Sequence, residues 1–302
     1  MSPLSSPSTT ERCRRRSGPV FLWPVVSAAL LLCSCRTAGS LENGSGNVLA
    51  RPLEFGATSF LISYHPQDEA AAALIESSLQ YSIPRVTVWG ELQHRVHIDI
   101  LPSHDALESA VGRRGYPWLR AWARFDEVFL QSPATYDLFE RGAGNLTELL
   151  THELTHCVMY QRAATREEWR ARDRSIPIWF REGMASYTAR QGHRRLSEAR
   201  LVEWREKTGR DPLGEAPALY QRRPEIAYGA AHWAFAFLVE RYGARAVRGI
   251  LDAMYEGRDF HLAFEEVIGL SVRTFREEYL RYLDWGGWMY RERPAPQDVL
   301  SP

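Results

Sequence analysis

Lysine is almost missing from this chain: of 37 basic residues only Lys207 is a lysine, and the rest are arginine. That bias is one of coding and carries no function. Net charge is missing too, because 37 basic residues meet 37 acidic ones. Without a long-range positive field there is nothing to hold a polyanion, so a nucleic-acid partner is excluded. Cysteine is scarce, with four residues, Cys13, Cys33, Cys35 and Cys157. Three of them crowd the first 35 positions, so no disulfide framework can staple the body. There is no internal repeat and no low-complexity block. What is present is 302 residues, 45% hydrophobic and 25% charged, enough to bury a sizeable core.

The N-terminus reads as a leader. Arg12, Arg14, Arg15 and Arg16 precede an apolar run from Pro19 through Leu32. A basic cluster followed by about 14 apolar residues suits a secretory signal and is short for a membrane span. Leu32-Cys33-Ser34-Cys35 resembles a bacterial lipobox, with lipid expected on Cys35; cleavage before Cys33 would put bulky Leu32 where a small residue is required. Ordinary secretion is the alternative. Removing 34 of the 302 residues leaves 268, and four arginines and Glu11 go with them, so 37 against 37 becomes 33 against 36. A lipidated Cys35 leaves Cys157 without a disulfide partner. The expected organisation is a leader at 1–34, a Gly/Ser/Asn-rich tether at 35–52, one domain at 53–286 and a Pro-rich loose tail at 287–302.

The body reads as α+β. Strand character is expected at Thr58–Tyr64, at Val96–Leu101, which alternates at period 2, and at Phe125–Gln131; a helix is expected over Gln67–Gln80. Beyond residue 145 only helical patterns follow, near 145–162, 178–190, 195–208, 226–241, 244–255, 259–267 and 272–284. A small sheet followed by a helical half is the α+β arrangement.

The chemistry gathers at residues 145–190. His152-Glu153-Leu154-Thr155-His156 is H-E-x-x-H. On a helix, positions i and i+4 share a face, so both imidazoles can reach one metal ion, and Glu153 projects beside that face where a carboxylate can accept a proton from water. Asn145 and Glu148 have the spacing of a capping box for this helix. With this composition, random order would give the pattern about 0.02 times per chain. A catalytic zinc site takes three protein ligands, so a third is needed from elsewhere. Glu182 is the candidate, on a helix opened by Pro177 with Ser175 near its cap, flanked by apolar Trp179, Phe180, Met184 and Ala185. A carboxylate there needs a cation or hydrogen bonds to stay charged. Gly183 and Ala185 would let that helix approach the H-E-x-x-H helix closely. Glu167 and Glu168 compete as third ligand, but they lie in an Arg-rich polar stretch.

The run HELTH followed by PIWFREGMASY resembles the gluzincin metallopeptidases, specifically the bacterial peptidase-MA-like group. The resemblance is sharp over about 145–190 and looser over 55–285, and the gap to Glu182 is longer than in thermolysin-like members. It implies a zincin-like fold, one zinc held by His152, His156 and Glu182, and Glu153 as general base. It further implies an oxyanion-stabilising Tyr or His on a later helix. Tyr228 fits that pattern better than His232, four residues on, and both also suit a packed core.

Cys157 points away from the metal face as a small core residue, and His94, His97 and His104 read as surface. The expected activity is zinc-dependent peptide hydrolysis by a monomer held at the bacterial envelope through its lipid, with a peptide or protein as substrate. The strand at 125–131 is the expected rim for an extended peptide. The alternative is a non-catalytic zinc-holding or structural envelope lipoprotein.

Overall fold

The computed structural model describes residues 47–136 and 143–286. The leader 1–34, Cys35, the tether up to residue 46 and the tail 287–302 lie outside the described residues.

Five strands, β1 (Leu49–Phe55), β2 (Thr58–Tyr64), β3 (Val96–Leu101), β4 (Ala121–Ala123) and β5 (Glu127–Gln131), form one sheet in the order β1-β2-β3-β5-β4. β2, β3 and β5 run parallel, while β1 and β4 close the two ends antiparallel. Along β2 and β3 buried positions alternate with half-buried ones, as period 2 requires. Phe60, Ile62, Val96, Ile98 and Val128 join one core with the long helices α1 (Glu69–Val86) and α3 (Ala143–Ala163). Phe129 points the other way, toward Leu107 and Val111 of α2 (His104–Val111). β1 opens at Leu49, inside the stretch read as tether. Arg51, Leu53 and Phe55 are half-buried in alternation with exposed neighbours, but no residue of the strand is fully buried and Arg51 and Pro52 interrupt its apolar pattern.

The expected peptide rim at Phe125–Gln131 is corrected. β5 is hydrogen-bonded on both sides, by β3 and by β4, and has no edge to offer. The edge strand on this side of the sheet is β4. Arg120 C=O accepts from Gln131 N–H and Arg124 N–H donates to Glu127 C=O, so by antiparallel alternation the backbone groups of Ala121 and Ala123 face outward.

The rest is helical: α4 (Trp169–Asp173), α5 (Ile178–Thr188), α6 (Glu198–Thr208), α7 (Ala216–Arg222), α8 (Pro224–Tyr255), α9 (Phe260–Ile268) and α10 (Val272–Asp284). The α+β order is as expected. α8 joins the two helices expected at 226–241 and 244–255, and Gly243, at φ +76°, breaks it between them. α3 packs on α1 through small hydroxyls, Thr147 donating to Ser78 at 3.1 Å and Thr151 to Ser82 at 2.9 Å. It also meets α5 and α8, which pack against each other.

One packing expectation is overturned here. Gly183 does not serve the approach to the H-E-x-x-H helix; it faces α8, where a Cβ would lie 2.3 Å from the Ala231 carbonyl oxygen and 2.7 Å from Phe235 Cβ. On α5 the residue after Glu182 is turned about 100° from it, so Gly183 looks toward α8 while Glu182 looks toward the two imidazoles.

Candidate metal centre and cleft

α3 begins at Ala143, two residues before Asn145, so Asn145 and Glu148 stand within the helix and form no capping box. Both accept instead from Arg194 Nη1, at 3.1 and 2.9 Å. α5 takes Pro177 as its N-cap residue, and Ser175 makes no cap bond to it; its hydroxyl donates to Arg172 C=O.

The H-E-x-x-H residues and Glu182 come together. His152 Nε2 and His156 Nε2 are 3.3 Å apart, and Glu182 Oε2 lies 3.5 Å from the first and 3.8 Å from the second. All three side chains are buried. Donors about 2.0–2.1 Å from a tetrahedral zinc ion stand about 3.3–3.4 Å from one another. The observed triangle is within a few tenths of an ångström of one face of that tetrahedron, and its donors, two imidazoles and a carboxylate, are the ones zinc takes. Among the described residues no other set of His, Cys, Asp or Glu side chains converges in this way. Neither Nδ1 has a hydrogen-bond partner, although both are buried.

The two carboxylates are held in opposite states. Burial pushes Glu153 up to about 7, against the charge of His152 and the N–H of Ala123 on β4, which donates to it. Burial would raise Glu182 as well, but the hydrogen bond with His152, the neighbouring His156 ring and the charge of Arg181 outweigh it and hold Glu182 at about 2. Burial keeps His156 neutral, lowered to about 3. One carboxylate is thus a permanent anion suited to a cation, and the other exchanges a proton near neutrality.

These residues open into a cleft of about 1080 Å³, walled by β4 and the turn before it on one side and by α5, α7 and α8 on the other. Tyr228 lines it. Its hydroxyl donates to Tyr220 Oη at 3.0 Å, and Trp118 packs edge-on against both rings. Burial and the nearby Glu182 charge raise both phenols far above their ordinary value, so they stay protonated. His232 lies buried off the cleft, sharing a hydrogen bond of 3.0 Å with Ser186. Cys157 is fully buried on the sheet side of α3, its Sγ 3.3 Å from Arg124 C=O. Glu167 and Glu168 are exposed and outside the cleft.

Three contributors escape a reading of the sequence. Tyr220 lies on α7, a short helix with Pro217 in its first turn that carries no clear periodicity. Ala123 acts only through its backbone. Arg195 sits in a short extended segment after the 3₁₀ turn 191–194, with its guanidinium 4.9 Å from the Tyr228 ring centre. No residue-type pattern marks the last two.

No family model matches the chain, and no curated protein matches it in sequence. Among solved structures the chain is similar to a mutant of a two-domain M1 zinc metallopeptidase bound to L-arginine, at 16% identity and TM-score 0.43, covering 79% of this chain and 52% of that one. It is also similar to M1 zinc metallopeptidase structures from Deinococcus radiodurans. A mutant form gives 14% identity, TM-score 0.42 and coverage of 85% and 54%. A second structure gives 16% identity, TM-score 0.40 and coverage of 78% and 51%. The chain spans about half the length of these structures.

Proposed function

We propose that this chain is a zinc-dependent peptidase that hydrolyses peptide bonds, with His152, His156 and Glu182 holding the metal. One observation carries the reading: three buried donors converge with the spacing of a tetrahedral face, and a fourth group, Glu153, stands next in sequence to one of them as a protonatable carboxylate. A zinc ion there would supply a Lewis acid that polarises a carbonyl and makes water a nucleophile at neutral pH.

The protein's own groups do the rest. Glu153, oriented by the Ala123 N–H, accepts the proton of the attacking water and later gives it to the leaving amine. Tyr228 and Tyr220 act as a pair: with Tyr228 donating to Tyr220, the Tyr220 hydroxyl proton is left to point at an oxygen that gains charge during attack. The outward edge of β4, through Ala121 N–H and C=O, suits an extended peptide lying as an added strand. We further propose that lipid on Cys35 holds the protein at the bacterial envelope.

The test is Glu153→Gln. The variant keeps its zinc, read by metal analysis of the purified protein, and loses turnover of a peptide library that the parent digests. A parent that binds zinc and cleaves nothing would support a zinc-holding module instead, and a parent that binds no zinc would overturn both.

A further inference from the structure

Among the described residues the cleft is lined by eight arginines and four carboxylates. Two of those, Glu153 and Glu182, belong to the metal centre, and the other two are already paired, Asp173 with Arg181 and Glu225 with Arg223. Among the described residues no unpaired acid is left to receive a substrate's amino group. The arginines are a different case. Arg195 is half-buried, and its Nε donates to Ser186 Oγ at 2.9 Å and its Nη2 to Gln191 Oε1. Both partners are neutral, and among the described residues no carboxylate forms an ion pair with Arg195, although the charges of Glu182 and Glu148 reach it from farther off. On the opposite wall half-buried Arg120 gives Nη1 to the carbonyls of Pro117 and Leu119, again meeting no carboxylate. Arg113, Arg170 and Arg174 stand exposed at the rim, and none forms an ion pair.

A guanidinium withdrawn from water without an anion is costly, and the rim cations are too well solvated to hold a ligand by themselves. The half-buried pair therefore decides the chemistry. Arg195 is fixed by two hydrogen bonds and by its place over the Tyr228 ring, and it lines the same cleft as Glu182, whose charge reaches it. We propose that the cleft selects peptides carrying a carboxylate next to the scissile bond, with Arg195 as the specificity-determining partner of that carboxylate. Arg120 and the rim arginines draw the anion in. The inference rests on the peptidase reading for its scissile bond, and its recognition step can be measured without turnover.

The carboxylate can be an acidic side chain or the peptide's own C-terminus. Two labelled peptide pairs separate these, one differing by Glu against Gln, the other by a free against an amidated C-terminus. Each is titrated by fluorescence anisotropy against zinc-loaded Glu153→Gln protein and assayed for cleavage by the wild type. In at least one pair the carboxylate form binds about tenfold tighter, as a charge-assisted bidentate bond should give, and the ratio shrinks in high salt. Arg195→Gln brings that ratio close to one. Arg195→Lys keeps the charge, loses the fork and falls between, and it serves if Arg195→Gln does not fold.

Equal binding in both pairs, or a ratio that survives in Arg195→Gln and Arg195→Lys alike, overturns the proposal. Cleavage of neutral peptides without carboxylate preference sinks it while leaving the peptidase reading in place. Selective binding with no cleavage of any peptide does the reverse.

Discussion

Gly183 is the position where a single methyl group tests how the metal centre is held. It follows Glu182 on α5 and is pressed against α8. In Gly183→Ala the new Cβ would stand 2.3 Å from the Ala231 carbonyl oxygen, a backbone atom, and 2.7 Å from Phe235 Cβ. A carbon and an oxygen tolerate roughly 3.2 Å, so α5 and α8 must part by about 0.9 Å, more than a close-packed core absorbs by side-chain adjustment. Such overpacking costs about 3 kcal/mol at the upper end of its usual range. Alanine returns about 1 kcal/mol through better helix propensity. The net loss is about 2 kcal/mol, equivalent to a melting point lower by about 4–8 °C for a domain of this size. The direction of the shift matters as much. α5 can yield only toward α3 or along its own axis, and either motion moves Glu182 Oε2 off its 3.5 and 3.8 Å positions from the two imidazoles. Zinc affinity, read by competition with a chromogenic chelator, should fall about tenfold or more, in the range for disturbed support of a metal ligand. Melting and zinc affinity both equal to wild type would refute the claim that the α5–α8 contact sets the ligand geometry.

Glu182→Ala should bind zinc at least about a hundredfold more weakly, since it removes a ligand outright; one zinc per chain at wild-type affinity would move the third ligand elsewhere. Tyr228→Phe and Tyr220→Phe should each lower kcat by about 10²-fold with little change in KM, because the hydroxyl pair acts on charge that develops only during attack; a pure KM effect would reassign the pair to binding. The base form of Glu153 is the competent one, so kcat/KM should rise with pH through its pKa. That value is about 7 in the metal-free chain and moves toward 4.5 under a cation, so the acid limb should fall between these values; a profile flat across that window would exclude Glu153 as base. Cys35→Ser should abolish palmitate labelling while Cys33→Ser retains it, and the opposite pattern would move the lipid to Cys33.

The sequence disclosed whatever depended on one strong period or one rigid spacing. Val96–Leu101 alternates cleanly and Val272–Asp284 carries a steep apolar face, and both elements begin and end where those patterns do. His152, His156 and Glu153 were legible because i, i+4 geometry is fixed by the helix itself. Glu182 was legible because an acid among Trp179, Phe180 and Met184 makes sense only with a partner. The misses share a different physics. β1 and β4 are end strands whose identity comes from pairing with residues that sequence cannot place beside them. Gly183 was read toward the wrong helix because small residues announce a close approach without naming its partner.

The same limit applies to the charge that makes the site work. Glu153 and Glu182 are the same residue type, 29 positions apart, each buried and each near histidine. Nothing in their neighbours in sequence says which is to be the permanent anion. The difference lies in what the fold brings to each. Arg181, anchored on Asp173, and both imidazoles converge on Glu182, whereas Glu153 has the Ala123 N–H and His152 in its favour and the Glu182 charge against it. A backbone donor and one neighbouring ring stabilise the charged form less than burial and the Glu182 charge oppose it; a guanidinium and two rings more than offset the cost of burial at Glu182. The acid–base pair is therefore assigned by tertiary placement. Its test is local: removing the guanidinium in Arg181→Met should raise the Glu182 pKa from about 2 and, relative to wild type, weaken zinc binding at pH 5 more than at pH 8. A pH-independent loss would mean that Arg181 only packs.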